Sequence, residues 1–321
     1  MQQVRRRLLT WFRANARDLP WRRTRDPYAV LVSEVMLQQT QVDRVIPFYL
    51  AFLDRFPTAE ALAAAPPAEV IRQWAGLGYN RRAVNLQRTA AAVVARGGFP
   101  SDPATLRDLP GIGPYTAGAV SCFAFGQDVA FVDTNMRRVI QRVFFGAEGH
   151  AAAAPERQIL ETAAKLVPAG RGWAWNQALI EFGALQCTAR KPACVVCPLQ
   201  TQCAAFPAVL SPLPSKQVEP KQPSERFETS SRYYRGRILA AVRDTSPAGS
   251  GLSFEELGAR LRPDYSAEHR EWLVALVNGL AKDGLVAVAE ESVPYEAQSV
   301  ETLSEDCKEQ PSTGQGRVRL P

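Results

Sequence analysis

The chain has 321 residues, of which 46% are hydrophobic, and this composition excludes a disordered protein. Its net charge of +6 is uneven, because residues 1–225 carry 26 Lys and Arg against 17 Asp and Glu, whereas residues 226–321 carry 12 against 15. The basic excess predicts a polyanionic partner for the first two-thirds, although a solvated basic surface would give the same charge. No apolar run or signal pattern predicts a membrane partner, so we expect a cytoplasmic protein.

The first 205 residues predict an all-α region. A basic, amphipathic first helix has one apolar face, formed by Val4, Leu8, Trp11 and Phe12. Asp26 and Pro27 are typical N-cap and N1 residues, and they predict a second helix that runs to about Asp43. Further helical patterns occur near 58–64, 68–75, 80–95, 104–109, 115–125, 134–145, 155–166 and 173–185. Glycine and proline turn signals separate them.

The composition changes after residue 206. Residues 207–231 contain proline, serine and lysine and predict a linker. Helical patterns at 232–243, 253–262 and 267–282 are followed by two candidate strands, 286–289 and 316–320, with a polar, acidic loop at 290–315 between them. This order predicts a small α+β, winged-helix-like module over residues 232–321.

Four of the six cysteines lie close together with the spacing C-x6-C-x2-C-x5-C: Cys187, Cys194, Cys197 and Cys203. Four thiolates on a compact loop favour an iron–sulfur cluster, with structural zinc as the main alternative. Disulfides are disfavoured in a chain without an export signal. Cys122 interrupts an apolar helix and is expected in the core, and Cys307 is isolated.

Residues 109–118 have the pattern of a helix-hairpin-helix, with Gly111 and Gly113 at the turn. Such glycines expose backbone N–H groups at a helix N-terminus, which bind phosphate without reading base sequence. An isolated Gly-x-Gly is usually an ordinary turn.

Two carboxyl groups have contrasting sequence surroundings. Asp133 lies where an apolar segment meets a helix, so a capping role predicts a lowered pKa. Glu34 interrupts an apolar helix, so burial predicts a raised pKa and a protonated carboxyl near neutral pH. The plain alternatives are that Asp133 only caps its helix and that Glu34 lies on a helix surface. One acid and one anion together are the arrangement that cleaves glycosidic bonds.

The cysteine spacing, together with Asp133 20 residues after Gly113, resembles the endonuclease III superfamily of helix-hairpin-helix DNA glycosylases over residues 5–205. The resemblance implies an all-α catalytic region at 1–206 with two helical lobes, one at 26–130 and one at 1–25 and 131–206. It implies a structural [4Fe–4S] cluster on the four cysteines and contacts of Arg190 and Lys191 with the DNA backbone.

Within that superfamily, residues 33–42, Leu19-Pro20-Trp21-Arg22 and Gly76-Leu77-Gly78-Tyr79 resemble adenine DNA glycosylases. The resemblance implies base excision repair of double-stranded DNA, with removal of adenine mispaired with 8-oxoguanine or guanine, by a monomer associated with the nucleoid. The usual C-terminal Nudix-like domain, which recognises 8-oxoguanine, is not evident in residues 232–321.

The resemblance also implies the roles of individual residues. Glu34 is the acid that protonates adenine N7, and Asp133 stabilises or traps the sugar cation. Tyr115 lies beside the sugar, and Asn135 helps to hold the transition state. The remaining matches form the pocket for the extruded adenine (Trp21, Arg22, Leu37 and Gln177) and the wedge in the duplex (Gln39 and Tyr79).

Position 115 separates the subfamilies, because bifunctional members have a lysine there and Tyr115 predicts no β-lyase activity. Thymine or uracil mismatch glycosylases share the tyrosine and the aspartate but lack the glutamate, so Glu34 favours adenine. The other alternative is a non-catalytic DNA-binding protein. Asn80 and Thr134 depart from the residues usual in the family.

Overall fold

A computed structural model of the protein describes residues 1–147, 153–211, 227–245, 251–289 and 316–321. The predicted acidic loop at 290–315, Cys307 and most of the predicted linker lie outside these residues. Within the described ranges, no helix combines the length and the hydropathy needed to cross a bilayer.

The N-terminal two-thirds are helical, as predicted. The helices are α1 (Gln2–Asn15), α2 (Pro27–Leu37), α3 (Val42–Arg55), α4 (Ala59–Ala64), α5 (Pro67–Gln73), α6 (Arg81–Ala95), α7 (Pro103–Leu106), α8 (Pro114–Phe123), α9 (Thr134–Ile140), α10 (Glu156–Leu166) and α11 (Gly172–Leu185). A π-helical turn, Gln141–Phe145, continues α9.

Helix α2 is buried along its length and carries the most important part of the site. Asp26 caps it as predicted, because the carboxylate accepts hydrogen bonds from the backbone N–H groups of Tyr28 (3.2 Å) and Ala29 (3.0 Å). The predicted end at Asp43 was wrong. The helix ends at Leu37, where a polar run begins and Gln39 adopts a left-handed φ of 55°.

Helix α3 was missed by the sequence analysis; Pro47 lies inside it, and a proline within a pattern argues against a helix.

Two glycines allow the elements around the site to approach closely. A Cβ on Gly118 of α8 would lie 2.6 Å from the Cβ of Phe131, and one on Gly183 of α11 would lie 2.8 Å from the Cβ of Asn135. Both distances are shorter than side-chain atoms tolerate, so glycine is required if α8 and α11 are to pack against residues 131–135.

The described residues divide into two compact units, one from Met1–Ala63 and Arg88–Pro220 and the other from Ala64–Gln87 and Lys221–Pro321. The second unit contains α12 (Ser231–Arg243), α13 (Phe254–Leu261), α14 (Arg270–Lys282) and the strands β1 (Leu252–Ser253), β2 (Ala287–Ala289) and β3 (Arg317–Arg319). The strands form an antiparallel sheet in the order β1-β3-β2.

The predicted order of three helices and a hairpin is confirmed, and it is that of a winged-helix module. Strand β1 was missed because it has only two residues, and the second of them, Ser253, caps α13, with Glu256 completing a capping box.

The predicted boundary of the helical lobe differs from the structure. Residues 64–87 were assigned to the lobe at 26–130, but they pack with the C-terminal residues. Ile71 and Val84 are buried in the core formed by α12, α13 and α14. The N–H of Ala68 donates to the carbonyl of Pro321 at 3.2 Å. The helical pattern of α5 shows an apolar face but does not show which distant helices cover it.

We expect Ile71→Ala to destabilise the second unit by about 2–5 kcal/mol, because it leaves a cavity in that core. Hydrogen exchange of α12 and α14 should become faster. The matched control is Leu62→Ala in α4, which removes an equally buried side chain from the first unit. Equal effects of the two substitutions on α12 and α14 would contradict this division.

Candidate active site

The first unit contains a cavity of about 800 Å³, within the usual range for small-ligand sites. It brings together nine of the residues predicted from sequence: Trp21, Arg22, Glu34, Leu37, Gln39, Tyr115, Asp133, Asn135 and Gln177. These residues come from α2, α8, α9, α11 and the segments next to these helices. Residues far apart in sequence therefore form one site.

Glu34 lies in this cavity with only 5% of its surface exposed, so its predicted burial is confirmed. Burial raises the pKa of Glu34 to about 7, and the nearby Asp133 carboxylate adds to the rise. A hydrogen bond with the Tyr115 hydroxyl and the positive charge of Arg22 oppose it. The carboxyl group is consequently able both to give and to take a proton near neutral pH.

Tyr115 stands between the two carboxyl groups. Burial, together with the charges of Glu34 and Asp133, raises its pKa well above the ordinary value, so its hydroxyl stays protonated. Its ring packs edge-to-face on Phe131, with the ring centroids 5.4 Å apart. The hydroxyl is therefore held as a hydrogen-bond donor inside the cavity.

Asp133 is the N-cap of α9, as predicted. One carboxylate oxygen accepts from the N–H of Met136 at 2.6 Å, and the other accepts from the Asn135 side-chain amide at 3.1 Å. The predicted lowered pKa was wrong. Burial raises the pKa of Asp133, and the hydrogen bonds from Met136 and Asn135, with the charge of Arg138, offset only part of that rise.

A second buried ionic group, Glu181 with Arg17 and Arg22, also lines the cavity. The Glu181 side chain is completely buried and accepts hydrogen bonds from both Arg17 and Arg22. Arg22 also donates from Nε to the side-chain oxygen of Gln177 at 2.8 Å. Burial would raise the pKa of Glu181, but the hydrogen bonds from the two arginines outweigh it and lower the pKa to about 2.

The predicted DNA contacts lie outside the cavity lining, except for Gln39. Tyr79 belongs to the second unit, where its side chain is 48% exposed and its φ of 47° is left-handed. Gly111 has a φ of 77°, and Gly113 is the N-cap of α8, so the hairpin turn has the predicted geometry.

The four clustered cysteines line one small cavity, which Phe182 and Leu199 also line. None of the five cysteines that the structure describes forms a disulfide. Arg142 is buried beside them, with Nη1 3.6 Å from the Sγ of Cys187 and 2.7 Å from the carbonyl of Thr188. Four soft sulfur ligands in an apolar pocket beside a guanidinium fit an iron–sulfur cluster, whose thiolate ligands carry negative charge. Arg190 and Lys191 are exposed on the same loop.

Arg138 joins the cysteine loop to Asp133. Its guanidinium donates to the carbonyl of Cys187 at 2.8 Å, to the carbonyl of Gly183 at 2.6 Å and to the Asn135 side-chain oxygen at 2.8 Å. Asn135 in turn donates to Asp133.

The sequence analysis missed both Arg138 and Glu181. Glu181 interrupts an apolar run in α11, the same signal that identified Glu34, whereas no local pattern indicates the contacts of Arg138.

Two family profiles match the chain. Residues 32–169 match the HhH-GPD superfamily base excision DNA repair protein, and residues 187–203 match the iron–sulfur binding domain of endonuclease III. The adenine DNA glycosylase of Mycolicibacterium smegmatis is 41% identical, covering 88% of this chain and 95% of that protein. The adenine DNA glycosylase of Homo sapiens is 43% identical, covering 62% of this chain and 38% of that protein.

Solved structures show the same fold. A thermostable thymine-DNA glycosylase aligns with a TM-score of 0.59 and 34% identity. A trapped covalent intermediate of endonuclease III with DNA aligns with a TM-score of 0.54 and 27% identity. Each alignment covers 63% of this chain and 94% of the other.

The buried carboxyl predicts a pH-dependent gain in stability for Glu34→Gln. Between the ordinary pKa of 4.5 and the folded value of about 7, the folded state binds more protons than the unfolded state, so the wild type loses stability as pH rises. Glutamine does not ionise, so the variant does not lose this stability as pH rises. The stabilising effect of the substitution should therefore increase by about 3 kcal/mol between pH 4.5 and pH 8.

Denaturant unfolding at both pH values measures this difference. Glu268→Gln, a change at an exposed carboxyl in the second unit, serves as the control. If Glu34→Gln had the same effect at both pH values, burial would not be what raises this pKa.

Proposed function

Because this chain belongs to the adenine DNA glycosylase family, we propose that the adenine it removes is mispaired with 8-oxoguanine or guanine in double-stranded DNA. The chain is a DNA glycosylase of base excision repair with an iron–sulfur binding domain. The observation that carries the proposal is Glu34, a carboxyl with a pKa of about 7 in the same cavity as Asp133 and Tyr115.

In the proposed mechanism, the adenine leaves the duplex and enters the cavity, where water is largely displaced. Glu34 in its protonated form donates its proton to N7 of the base, which makes the base a better leaving group. The N-glycosidic bond then breaks with its electron pair passing to the base, and positive charge develops on the sugar. Glu34, now an anion, accepts a proton from the incoming water.

Asp133 stabilises the positive charge that develops on the sugar. Its carboxylate is fixed by the N–H of Met136 and by the Asn135 amide, so it needs little reorganisation as the charge forms. Tyr115 keeps its proton and offers a hydrogen bond to the reacting centre. Its contact with Glu34 also stabilises that carboxylate after the proton has been given away.

The remaining residues are proposed to hold the DNA. Trp21, Arg22, Leu37 and Gln177 enclose the base, and Gln39 and Tyr79 enter the duplex beside the lesion. The exposed side chain and left-handed backbone of Tyr79 suit a wedge that offsets part of the unstacking cost. Gly111 and Gly113 bind phosphate through backbone N–H groups, and Arg190 and Lys191 bind it through their charge.

The four cysteines hold the [4Fe–4S] cluster, which supplies structural cross-linking of the loop at 187–203 and a local charge. Arg138 links this loop to Asn135, which donates to Asp133.

The proposal predicts excision of adenine opposite 8-oxoguanine, with a rate that depends on the protonation of Glu34. Under single-turnover conditions, Glu34→Gln should lower the rate constant by about 100- to 10,000-fold, the range for loss of a general acid or base. The wild-type rate should fall as pH rises above about 7, because Glu34 loses the proton that it must donate.

The same assay is run on further duplexes, with adenine opposite guanine or cytosine and with guanine opposite thymine or uracil. Excision of thymine or uracil with no excision of adenine would replace the proposal with the mismatch-specific alternative. Binding of all the duplexes with no product would favour a non-catalytic DNA-binding protein.

We also propose that the enzyme is a monomer and does not cut the strand. Tyr115 has no amine to attack the sugar, so borohydride should trap no covalent complex with wild-type enzyme. Tyr115→Lys supplies a positive control, since it places an amine in the helix-hairpin-helix at that position. A trapped wild-type complex would contradict the proposal.

A further inference from the structure

The cavity contains a buried anion that the proposed mechanism does not use. The two oxygens of Glu181 accept hydrogen bonds from the Arg17 backbone N–H (2.9 Å), the Arg17 side chain (2.9 and 2.8 Å) and the Arg22 side chain (2.9 and 3.3 Å). The Glu181 side chain has no exposed surface, and 8% of the Arg22 side chain is exposed. A buried anion with this many donors is held in one orientation.

The contacts of Arg22 fix the guanidinium in turn. Nη1 donates to the carbonyl of Arg17 at 2.9 Å as well as to Glu181, Nη2 donates to Glu181, and Nε donates to the side-chain oxygen of Gln177. The cation also lies 5.5 Å from the ring centroid of Phe12. Each nitrogen of the guanidinium therefore already has an acceptor within the protein.

This arrangement determines which way the Gln177 amide faces. A guanidinium only donates hydrogen bonds, so the atom of Gln177 that faces Arg22 must be the oxygen. Reversing the amide would place its N–H groups against the N–H of a cation. Gln177 is 5% exposed and lines the cavity, so its amide nitrogen is the polar atom that it can offer to an occupant.

We propose that Glu181 is a positioning residue for base selection, which holds Arg22 so that Gln177 presents an N–H donor to the extruded base. The inference rests on the proposed function, because it takes that base to be adenine. N1 of adenine is unprotonated and accepts a hydrogen bond, whereas N1 of guanine and hypoxanthine carries a hydrogen; N3 accepts in all three bases and does not distinguish them. A donor fixed opposite N1 therefore favours adenine, since a site that pairs with a polar group discriminates against bases that lack it.

Glu181 has a second effect, on charge. Glu34 faces the Tyr115 hydroxyl, the Asp133 carboxylate and the cationic Arg22, and the same cavity is lined by Arg17, Arg137 and Glu181. Arg22 lowers the pKa of Glu34, and Glu181 forms an ion pair with that cation at 2.9 Å. Without the anion, Arg17 and Arg22 are uncompensated, so the pKa of Glu34 falls and less of the acid is protonated at neutral pH.

The test compares four full-length proteins that contain the cluster: wild type, Glu181→Gln, Gln177→Leu and the double variant. Single-turnover excision of adenine opposite 8-oxoguanine is measured from pH 5 to 9. Glu181→Gln should lower the rate constant by about 100-fold, the scale of a misplaced contact remote from the chemistry. The double variant should be no slower than the slower single variant, because both changes remove the same contact. In Glu181→Gln, the fall in rate on the alkaline side should begin at lower pH.

Duplexes with 1-deazaadenine or 3-deazaadenine in place of adenine test the acceptor. The wild type should lose more rate with 1-deazaadenine than with 3-deazaadenine, and the reverse order would overturn base selection through Gln177. Glu181→Gln and Gln177→Leu should treat the two analogues alike. Glu181→Asp, which keeps the anion, should recover part of the rate and of the wild-type pH profile.

Ile159→Ala in α10 serves as the control for lost stability, because Ile159 is buried and lines neither cavity. It should lower the Tm without altering the pH profile or the preference between analogues.

The inference fails if Glu181→Gln and Gln177→Leu have multiplicative effects, or if Glu181→Gln keeps the wild-type pH profile and analogue preference. Glu181 would then be structural only, while the proposed function would stand. A wild type that excises no adenine would overturn the proposed function and this inference together.

Discussion

The chemistry of the site depends on the free energy needed to bury one carboxyl group. Helix α2 is buried from Tyr28 to Met36, so water does not solvate the charged form of Glu34 and its ionisation costs free energy. Its proton is kept because the surrounding helices exclude water, and its polar neighbours are Tyr115 of α8, Asp133 at the start of α9 and Arg22, which precedes α2. The stability lost by burying this group is what gives the site an acid that works near neutral pH.

Three carboxyl groups share the cavity, and the number of donors around each one determines its charge. Glu34 has one hydrogen bond from Tyr115 and is the easiest to protonate. Glu181 accepts hydrogen bonds from two arginines, which lower its pKa to about 2, so it is an anion at neutral pH. Asp133 accepts hydrogen bonds from Met136 and Asn135, but burial outweighs them and raises its pKa. Burial raises the pKa of all three, so the placement of donors is what makes them differ.

Local patterns in the sequence predict most of this structure, and contacts between distant residues account for the rest. Glu34 was found because a charge inside an apolar helix has a local signature, and Glu181 has the same signature. Arg22 and Glu181 are 159 positions apart in sequence, so no motif spacing indicates that they pair. For Asp133, the sequence shows the cap but not the burial, so the predicted direction of the pKa shift was wrong. The helices that cover α5 were also missed, because they are distant from it in sequence.

Arg138 shows how the cysteine loop contributes to the site through packing. A single guanidinium donates to the carbonyl of Cys187 and to the side chain of Asn135, so the loop and the turn at Asp133 cannot move independently. Gly183 makes this possible, because a side chain at that position would collide with Asn135. The cation also balances the negative charge that thiolate ligands bring to the loop. The loop at 187–203 therefore helps to fix the orientation of the Asp133 carboxylate through Arg138 and Asn135.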